Sequence, residues 1–119
     1  MSKTSRTYEI IEKSGEFAIN VIADNQLDLA KKFGGAHGHE LDKFKEFDVA
    51  TEPASKIGGS LLSGCFANIE CRVISSVRDL QGNHAVCIGE VLSFKMNEGL
   101  RPLVWLKNRY FRVGTECRL

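Results

Sequence analysis

The sequence predicts one mainly β domain with short helices over residues 1–119, from three features of the chain. Beyond Ser60, apolar and polar residues alternate with period two, as in half-buried strands. Residues 17–22 are almost unbroken apolar sequence, which is typical of a strand covered on both sides. Two shorter segments before Ser60 carry helix-start residues and glycine stops. Four or five strands with alternating faces predict a barrel or a strongly curved sheet.

The first helix is predicted over residues 6–13. Ser5 or Thr4 can cap it, and Gly15 ends it. The turn before this helix is rich in bases and hydroxyls. Lys3 and Arg6 supply positive charge there, and the first free N–H groups of the helix point the same way. The turn is therefore a candidate phosphate site, with a simple N-capped surface helix as the alternative interpretation.

A second helix is predicted over residues 25–33, capped by Asp24 or Asn25 and stopped at Gly34. Residues 34–60 are predicted to be irregular, and long connections of this kind often carry function. His37 and His39 lie in this connection, but two histidines alone do not make a metal site. The sequence therefore predicts no bound metal.

The sequence after Ser60 predicts a series of antiparallel strands. Strands are expected over residues 65–73 and 84–94, with a turn over residues 79–83 between them. A tight hairpin is expected over residues 102–106 and 109–113, around Lys107 and Asn108. Glu90 interrupts an apolar strand face and is expected to be buried beside Arg72 or Arg109. An open sheet of this size leaves two edges that must be covered, by a missing segment or by a partner chain.

Aromatic residues of the hairpin are expected in the core or in a dimer interface. They are Trp105 and Tyr110. The alternative for Tyr110 is a position near a bound ring.

Composition narrows the classes of function. With 43% hydrophobic and 26% charged residues, the chain matches one soluble globular domain. Its formal net charge of +1 gives no strong field for nucleic acid or anionic lipid. No apolar run is long enough to cross a bilayer and no signal peptide is evident, so a cytoplasmic protein is expected.

The cysteines are expected to be reduced. No CxxC pair is present, which argues against a zinc site. Cys65 and Cys71 lie on one predicted strand, about 20 Å apart at strand spacing. A disulfide needs Cα atoms within about 7 Å, so these two residues cannot bond to each other. Cys65, Cys71 and Cys87 are expected to be small buried groups, and Cys117 is expected to be exposed.

Five separate segments resemble the flavin reductase-like family in order and spacing. They are SRTYEIIEKSGEFAINVI, NQLDLAKKF, LLSGCFANIECRV, GNHAVCIGEVL and RPLVWLKNRY. The segment GNHAVCIGEV is similar to the Gly-Asp-His strand opening of that family, with Asn83 in place of the acidic residue.

The resemblance implies the FMN-binding split barrel as the fold, incomplete at the N-terminus. Members of the family have several strands before the point that matches Met1. It also implies an NAD(P)H-dependent flavin oxidoreductase that transfers hydride from a nicotinamide to flavin. FMN is the expected cofactor and FAD the other flavin allowed, with NADH or NADPH as the co-substrate. A homodimer and a redox protein partner are further expectations.

The resemblance also implies site residues. The turn before the first helix would hold the FMN phosphate, the end of the second helix and a following lysine would approach the flavin, and His84 would act beside the reacting rings. The residues predicted to bind the cofactor are Ser2, Lys3, Ser5, Arg6, Thr7, Ala30, Phe33 and Lys43.

Some alternatives remain open at this point. Phe33 is equally expected in core packing, and Lys43 is an ordinary surface lysine unless it faces the phosphate. The alternative for His84 is a strand-end histidine in solvent. Two other functions also remain: an FMN-binding electron-transfer protein without a nicotinamide site, and a flavin-free interaction or dimerisation domain.

Overall fold

The computed structural model describes residues 1–34, 48–77 and 81–118. Within these ranges the chain forms short helices and antiparallel strands. In chain order they are α1 (Arg6–Ser14), β1 (Glu16–Val21), α2 (Leu27–Gly34), β2 (Thr51–Pro53), β3 (Ser60–Leu62), β4 (Ala67–Val77), β5 (Val86–Met96), β6 (Leu103–Leu106) and β7 (Arg109–Arg112). The prediction of a mainly β chain with short helices is confirmed.

Helix α1 forms as the sequence predicts, and it extends one residue further. Ser5 is the N-cap, and its Oγ accepts a hydrogen bond from the Tyr8 amide at 3.1 Å. Gly15 ends the helix with a left-handed φ of 69°, where its N–H donates to the Ile11 carbonyl. Tyr8 and Ile11 share the buried face, so α1 packs on the domain through one stripe.

Helix α2 begins after Gln26, so the predicted capping by Asp24 or Asn25 is wrong. Asp24 and Asn25 lie in the turn before the helix. The Gln26 side chain accepts from the Ala23 amide at 2.9 Å and donates to the Ser63 carbonyl at 3.0 Å. The longer amide side chain thus ties the helix start to the segment that precedes β4, which Asp24 is too short to do.

The main sheet has the order β1-β4-β5 and is antiparallel throughout. Side chains directly opposite one another share a face. One face, called the apolar face below, consists of Phe17, Ile19, Val21, Ala67, Ile69, Cys71, Val91, Phe94 and Met96. The other, called the polar face below, includes Ala18, Asn20, Asn68, Glu70, Ser93 and Lys95.

The polar face is covered by residues 50–64. This segment contains the β2–β3 hairpin, which the sequence interpretation missed by treating residues 34–60 as irregular. Asn20 Oδ1 accepts from Asn68 Nδ2 at 2.7 Å and from the Leu62 amide at 3.2 Å. Lys95 forms an ion pair with Glu52 of β2. Polar side chains of the sheet are thus satisfied by the segment above them.

The apolar face is partly open. Ile19 is 46% exposed, Phe94 and Val91 are each 57% exposed, and Met96 is 46% exposed. The prediction that residues 17–22 form a strand covered on both sides is therefore wrong for this face. The strands form three separate sheets in the part of the chain that is described, which fits an open portion of a barrel rather than a closed one.

Two irregularities in the β4–β5 ladder shift the register. Leu92 is the extra residue on β5, between the pairs Glu70–Ser93 and Cys71–Val91. Glu90 lies opposite Arg72 as expected, but both side chains are exposed. The prediction that Glu90 is buried is therefore wrong. Glu90 lies on the edge strand β5, whose only strand partner in the described part of the chain is β4.

The β6–β7 hairpin forms as predicted. Lys107 and Asn108 have φ values of 50° and 64°, the pair of positive angles of a type I′ turn. Trp105 is 61% exposed, so of its two expected places the core is wrong and the dimer interface stays a prediction. Tyr110 is half-buried. Neither helix of the described ranges is long and apolar enough to cross a membrane.

All four cysteines are free. Cys65 and Cys71 are buried, Cys87 is half-buried and Cys117 is exposed. Burial raises the pKa of the Cys65 thiol, partly offset by a hydrogen bond from Gln26, and burial also raises the pKa of the Cys71 thiol. Cys65 precedes β4 rather than lying on it, which corrects the predicted strand boundary.

Candidate functional site

The fold brings the N-terminal turn against the start of β5. Ser2 and His84 form an isolated antiparallel bridge. The Lys3 amide donates to the Asn83 carbonyl at 2.9 Å, and the Ala85 amide donates to the Met1 carbonyl at 2.8 Å. Two segments that the sequence analysis singled out separately therefore lie side by side, although about eighty residues of chain separate them.

Two cations of this turn already have partners on the protein. Lys3 Nζ donates to the Gly82 carbonyl at 3.0 Å. Arg6 Nη1 lies 3.1 Å from Glu9 Oε2, and both side chains are nearly half exposed. An exposed pair of this kind contributes at most about 1 kcal/mol, so a bound anion can displace Glu9. An ammonium carries three protons, so Lys3 can hold Gly82 and an anion together.

The hydroxyl groups of the turn are not equivalent. Ser5 Oγ donates its one proton to the Ser2 carbonyl at 2.9 Å and accepts from Tyr8. In this geometry Ser5 shapes the turn, and its predicted hydrogen bond to a phosphate would require breaking the contact with Ser2. Ser2 Oγ and Thr4 Oγ1 lie 3.2 Å apart, and Thr7 is exposed on the first turn of α1.

Backbone amides at the start of α1 are further hydrogen-bond donors for an anion. The amides of Lys3, Ser5 and Tyr8 are used by Asn83, Ser2 and the Ser5 side chain. Within the described ranges the amides of Arg6 and Thr7 have no recorded partner, as expected at the first two positions of a helix. These amides lie at the positive end of α1. Two amides and two flexible cations match the chemistry of a dianionic phosphate.

His84 is exposed at the beginning of its strand. Its Nδ1 lies 2.8 Å from the amide oxygen of Asn83, the residue that replaces the family's acidic residue. The contact is a hydrogen bond in the tautomer with the proton on Nδ1, and Nε2 is then the acceptor of the neutral ring. In that tautomer Asn83 orients the predicted catalytic histidine.

The end of α2 carries Ala30 and Phe33, both half-buried. A Cβ added at Gly34 would lie 3.9 Å from the Tyr110 hydroxyl, so this helix end is beside β7. Lys43, His37 and His39 lie outside the described residues. The flavin contacts predicted for Ala30, Phe33 and Lys43 remain predictions.

One charged residue was missed from the sequence. Glu70 on the polar face is 4% exposed, and its carboxylate accepts four hydrogen bonds. Oε2 accepts from the Ser55 amide and hydroxyl at 3.2 and 3.0 Å, and Oε1 accepts from the amides of Lys56 and Ile57 at 2.7 and 3.2 Å. The Lys56 amide is the main cause that lowers the pKa of Glu70, against a smaller opposing effect of burial. Glu70 therefore fixes the loop after β2.

Comparison with known proteins identifies the relationship. The family model described as "Flavin reductase like domain" matches residues 1–114. The reductase subunit HsaB of a flavin-dependent monooxygenase from Rhodococcus jostii is 36% identical over 109 residues, or 92% of this chain and 52% of that protein. This chain thus spans about half the length of that relative.

Solved structures share the fold. The NADH:FAD oxidoreductase of Streptomyces globisporus superposes with a TM-score of 0.85 at 21% identity, covering 97% of this chain and 66% of that one. An FMN-binding protein from Thermus thermophilus superposes with a TM-score of 0.83 at 22% identity, covering 100% and 69%. The likeness extends across nearly the whole of this chain, so the open sheets correspond to part of a larger β architecture.

Proposed function

We propose a function from the premise that this chain belongs to the flavin reductase-like family. The chain binds FMN, with FAD as the alternative flavin, and promotes hydride transfer from NADH or NADPH to it. This proposal extends to this chain the activity named in two similar proteins, the monooxygenase reductase subunit and the NADH:FAD oxidoreductase.

The observation that carries the proposal is the pairing of Ser2 with His84. It supports a single site, because the phosphate donors of the first turn and the imidazole come from adjacent backbone segments. Neither segment alone distinguishes a cofactor site from a capped surface helix or a solvent histidine.

Each residue has a defined task in this proposal. The amides of Arg6 and Thr7, with the side chains of Lys3 and Arg6, hold the phosphate by charge-assisted hydrogen bonds. Ser5 keeps the turn in shape. His84, oriented by Asn83, accepts or donates at Nε2 according to its protonation. When bound, the flavin supplies the redox chemistry, which explains a site with no nucleophile and no acid pair.

The end of α2 completes the ring contacts in this proposal. Phe33 packs against the flavin ring, Ala30 leaves room for its approach, and Lys43 adds a second cation. Their substitution to smaller or neutral residues should weaken flavin binding.

We further propose that the chain works in the cytoplasm as a homodimer and passes electrons or reduced flavin to a partner protein. Support for the dimer comes from the apolar face, where Ile19, Val91 and Phe94 are about half exposed. Light scattering on the eluting protein should give twice the mass of one chain. Ile19→Ser with Phe94→Ser should give a single chain, and a monomer before substitution would contradict the dimer.

The experiment that tests the activity is a visible spectrum of the purified chain with added FMN, followed by anaerobic NADH. Bound flavin that bleaches with NADH supports the reductase. A stable yellow protein that NADH does not bleach would instead indicate an electron carrier without a nicotinamide site. Failure to take up FMN or FAD would leave a flavin-free interaction domain.

A substitution test addresses the phosphate site. Lys3→Ala with Arg6→Ala should weaken FMN about 10- to 100-fold, since each charged hydrogen bond contributes about 1.5–3 kcal/mol and part is replaced by water. Riboflavin, which has no phosphate, should bind unchanged. Lys13→Ala, at the other end of α1, is the matched control. Equal losses for FMN and riboflavin would remove the turn from the site.

A further inference from the structure

The β6–β7 hairpin exposes several apolar side chains to solvent. On one face of the hairpin Leu106 is 55% exposed, Phe111 46% and Val104 38%, and Trp105, which is 61% exposed, lies on the opposite face. Single exposed apolar residues are ordinary, but a contiguous group marks an interaction surface. Within the described ranges, β6 and β7 pair only with each other.

The same hairpin is strongly basic. Residues 99–115 contain Arg101, Lys107, Arg109 and Arg112 and no acidic residue. The whole chain has a net charge of +1, so the remainder is net acidic and the positive charge is concentrated here. A local field of this kind attracts acidic partners and orients them before contact.

Apolar and cationic groups meet at the tip of the hairpin. A shallow, open hollow of about 310 Å³ is lined by Leu106, Lys107, Arg109 and Phe111. Neither Lys107 nor Arg109 forms an ion pair with any residue that the structure describes. The hollow therefore offers an apolar floor with two available cations at its edge.

The hairpin is held firmly at its open end. The Leu103 amide donates to the Ile22 carbonyl at 2.8 Å, and the Asp24 amide donates to the Arg101 carbonyl at 2.9 Å. The type I′ turn at Lys107 and Asn108 fixes the tip. Binding at the tip thus costs little ordering of the backbone.

We propose that this hairpin tip docks an acidic segment of a different protein, in which an aromatic or aliphatic side chain enters the hollow and flanking carboxylates pair with Lys107 and Arg109. Charge complementarity selects this partner over a basic one. None of the residues that line the hollow is a candidate flavin-site residue, although β7 lies beside the end of α2 through Tyr110. The proposal does not depend on the flavin chemistry.

The test measures peptide binding by isothermal titration calorimetry, because Trp105 lies on the face of the hairpin opposite the hollow and would not report on its occupancy. The full chain is titrated with the synthetic peptide acetyl-Glu-Glu-Phe-Glu-Leu-Glu-Glu-amide. The titration should give saturable heat of binding, and added salt should weaken the binding because exposed charges are screened. Control peptides carry lysine in place of glutamate, or serine in place of phenylalanine and leucine.

Variants make the test specific. Lys107→Glu with Arg109→Glu should lower the peptide affinity at least about tenfold, whereas Lys13→Glu on α1 should leave it unchanged. Circular dichroism checks that each variant is folded, and Arg109→Gln provides a milder change if the double reversal does not fold.

Several results would overturn the proposal. One is the absence of saturable binding up to about 1 mM peptide, the weak limit of specific binding. Another is equal binding of the basic peptide or of inorganic phosphate, which would assign the hollow to anions or to apolar contact in general. A homodimer that Lys107→Glu with Arg109→Glu dissociates would assign the surface to a second copy of this chain.

Discussion

Gly89 on β5 should be a position where one added methyl group measurably destabilises the domain. A Cβ at this residue would lie 2.5 Å from Cζ and 2.7 Å from Cε1 of Phe17, and 3.1 Å from Cβ of Cys71. The Phe17 ring extends from β1 across the central strand and rests on the bare backbone of Gly89. Real Cβ contacts do not occur at these distances, so the ring has to move.

The expected cost follows from this geometry. Overpacking costs about 1–3 kcal/mol, and the added methyl group would meet the Cβ of Cys71 as well as the Phe17 ring, so a movement of the ring alone does not relieve every contact. Gly89→Ala should therefore lower the free energy of unfolding by about 2 kcal/mol. For a domain of this size the melting temperature should fall by about 4 °C for each kcal/mol.

The assay is urea unfolding followed by circular dichroism, with Gly114→Ala as the control. A Cβ at Gly114 meets nothing within 4 Å, so that variant should remain within about 0.5 kcal/mol of the parent. In a Phe17→Leu background the cost of Gly89→Ala should shrink, because the clashing ring atoms are gone. An unchanged cost in that background, or no cost at all, would refute the proposed contact.

Other predictions concern charge and reactivity. Glu70→Gln should lower the melting temperature, because an amide group would face backbone donors. Folding lowers the pKa of Glu70, so the stabilisation by this carboxylate is present at neutral pH and lost as the pH falls below about 4.3. The melting temperature measured from pH 7 to 3 should therefore change less in the variant than in the parent. Iodoacetamide labelling of the folded protein, read by mass spectrometry, should modify Cys117 well before Cys65 and Cys71, and equal rates would contradict their burial. His84→Ala should slow NADH oxidation about 100-fold while FMN affinity changes little, and an unaltered rate would exclude His84 from the reaction.

Much of the local structure could be predicted from the sequence, because its causes are local. Ser5 caps α1 and Gly15 ends it, since both effects depend only on neighbouring backbone groups. The β6–β7 turn at Lys107 and Asn108 is likewise set by two adjacent residues. The period-two alternation correctly predicted two long antiparallel strands, with boundaries displaced by a few residues.

The predictions from sequence were wrong where a segment distant along the chain determines the burial or the capping of a residue. Glu90 interrupts an apolar strand face and was expected to be buried, whereas Glu70 follows the alternation of its strand. The structure covers Glu70 with the loop after β2 and leaves Glu90 on an open edge strand, beside the extra residue Leu92. Gln26 starts α2 because it reaches Ser63, a contact that no local rule contains.

Some features of the candidate site are likewise local and others depend on distant segments. The sequence by itself determined that a capped helix follows a turn of bases and hydroxyls, because capping and charge are properties of consecutive residues. Only the tertiary structure decided that Ser2 lies against His84 and that Lys3 donates to Gly82, since strand pairing joins backbone groups regardless of their distance along the chain. It also decided which of the four cysteines are shielded and which face of the sheet stays open, because both depend on what the rest of the chain covers.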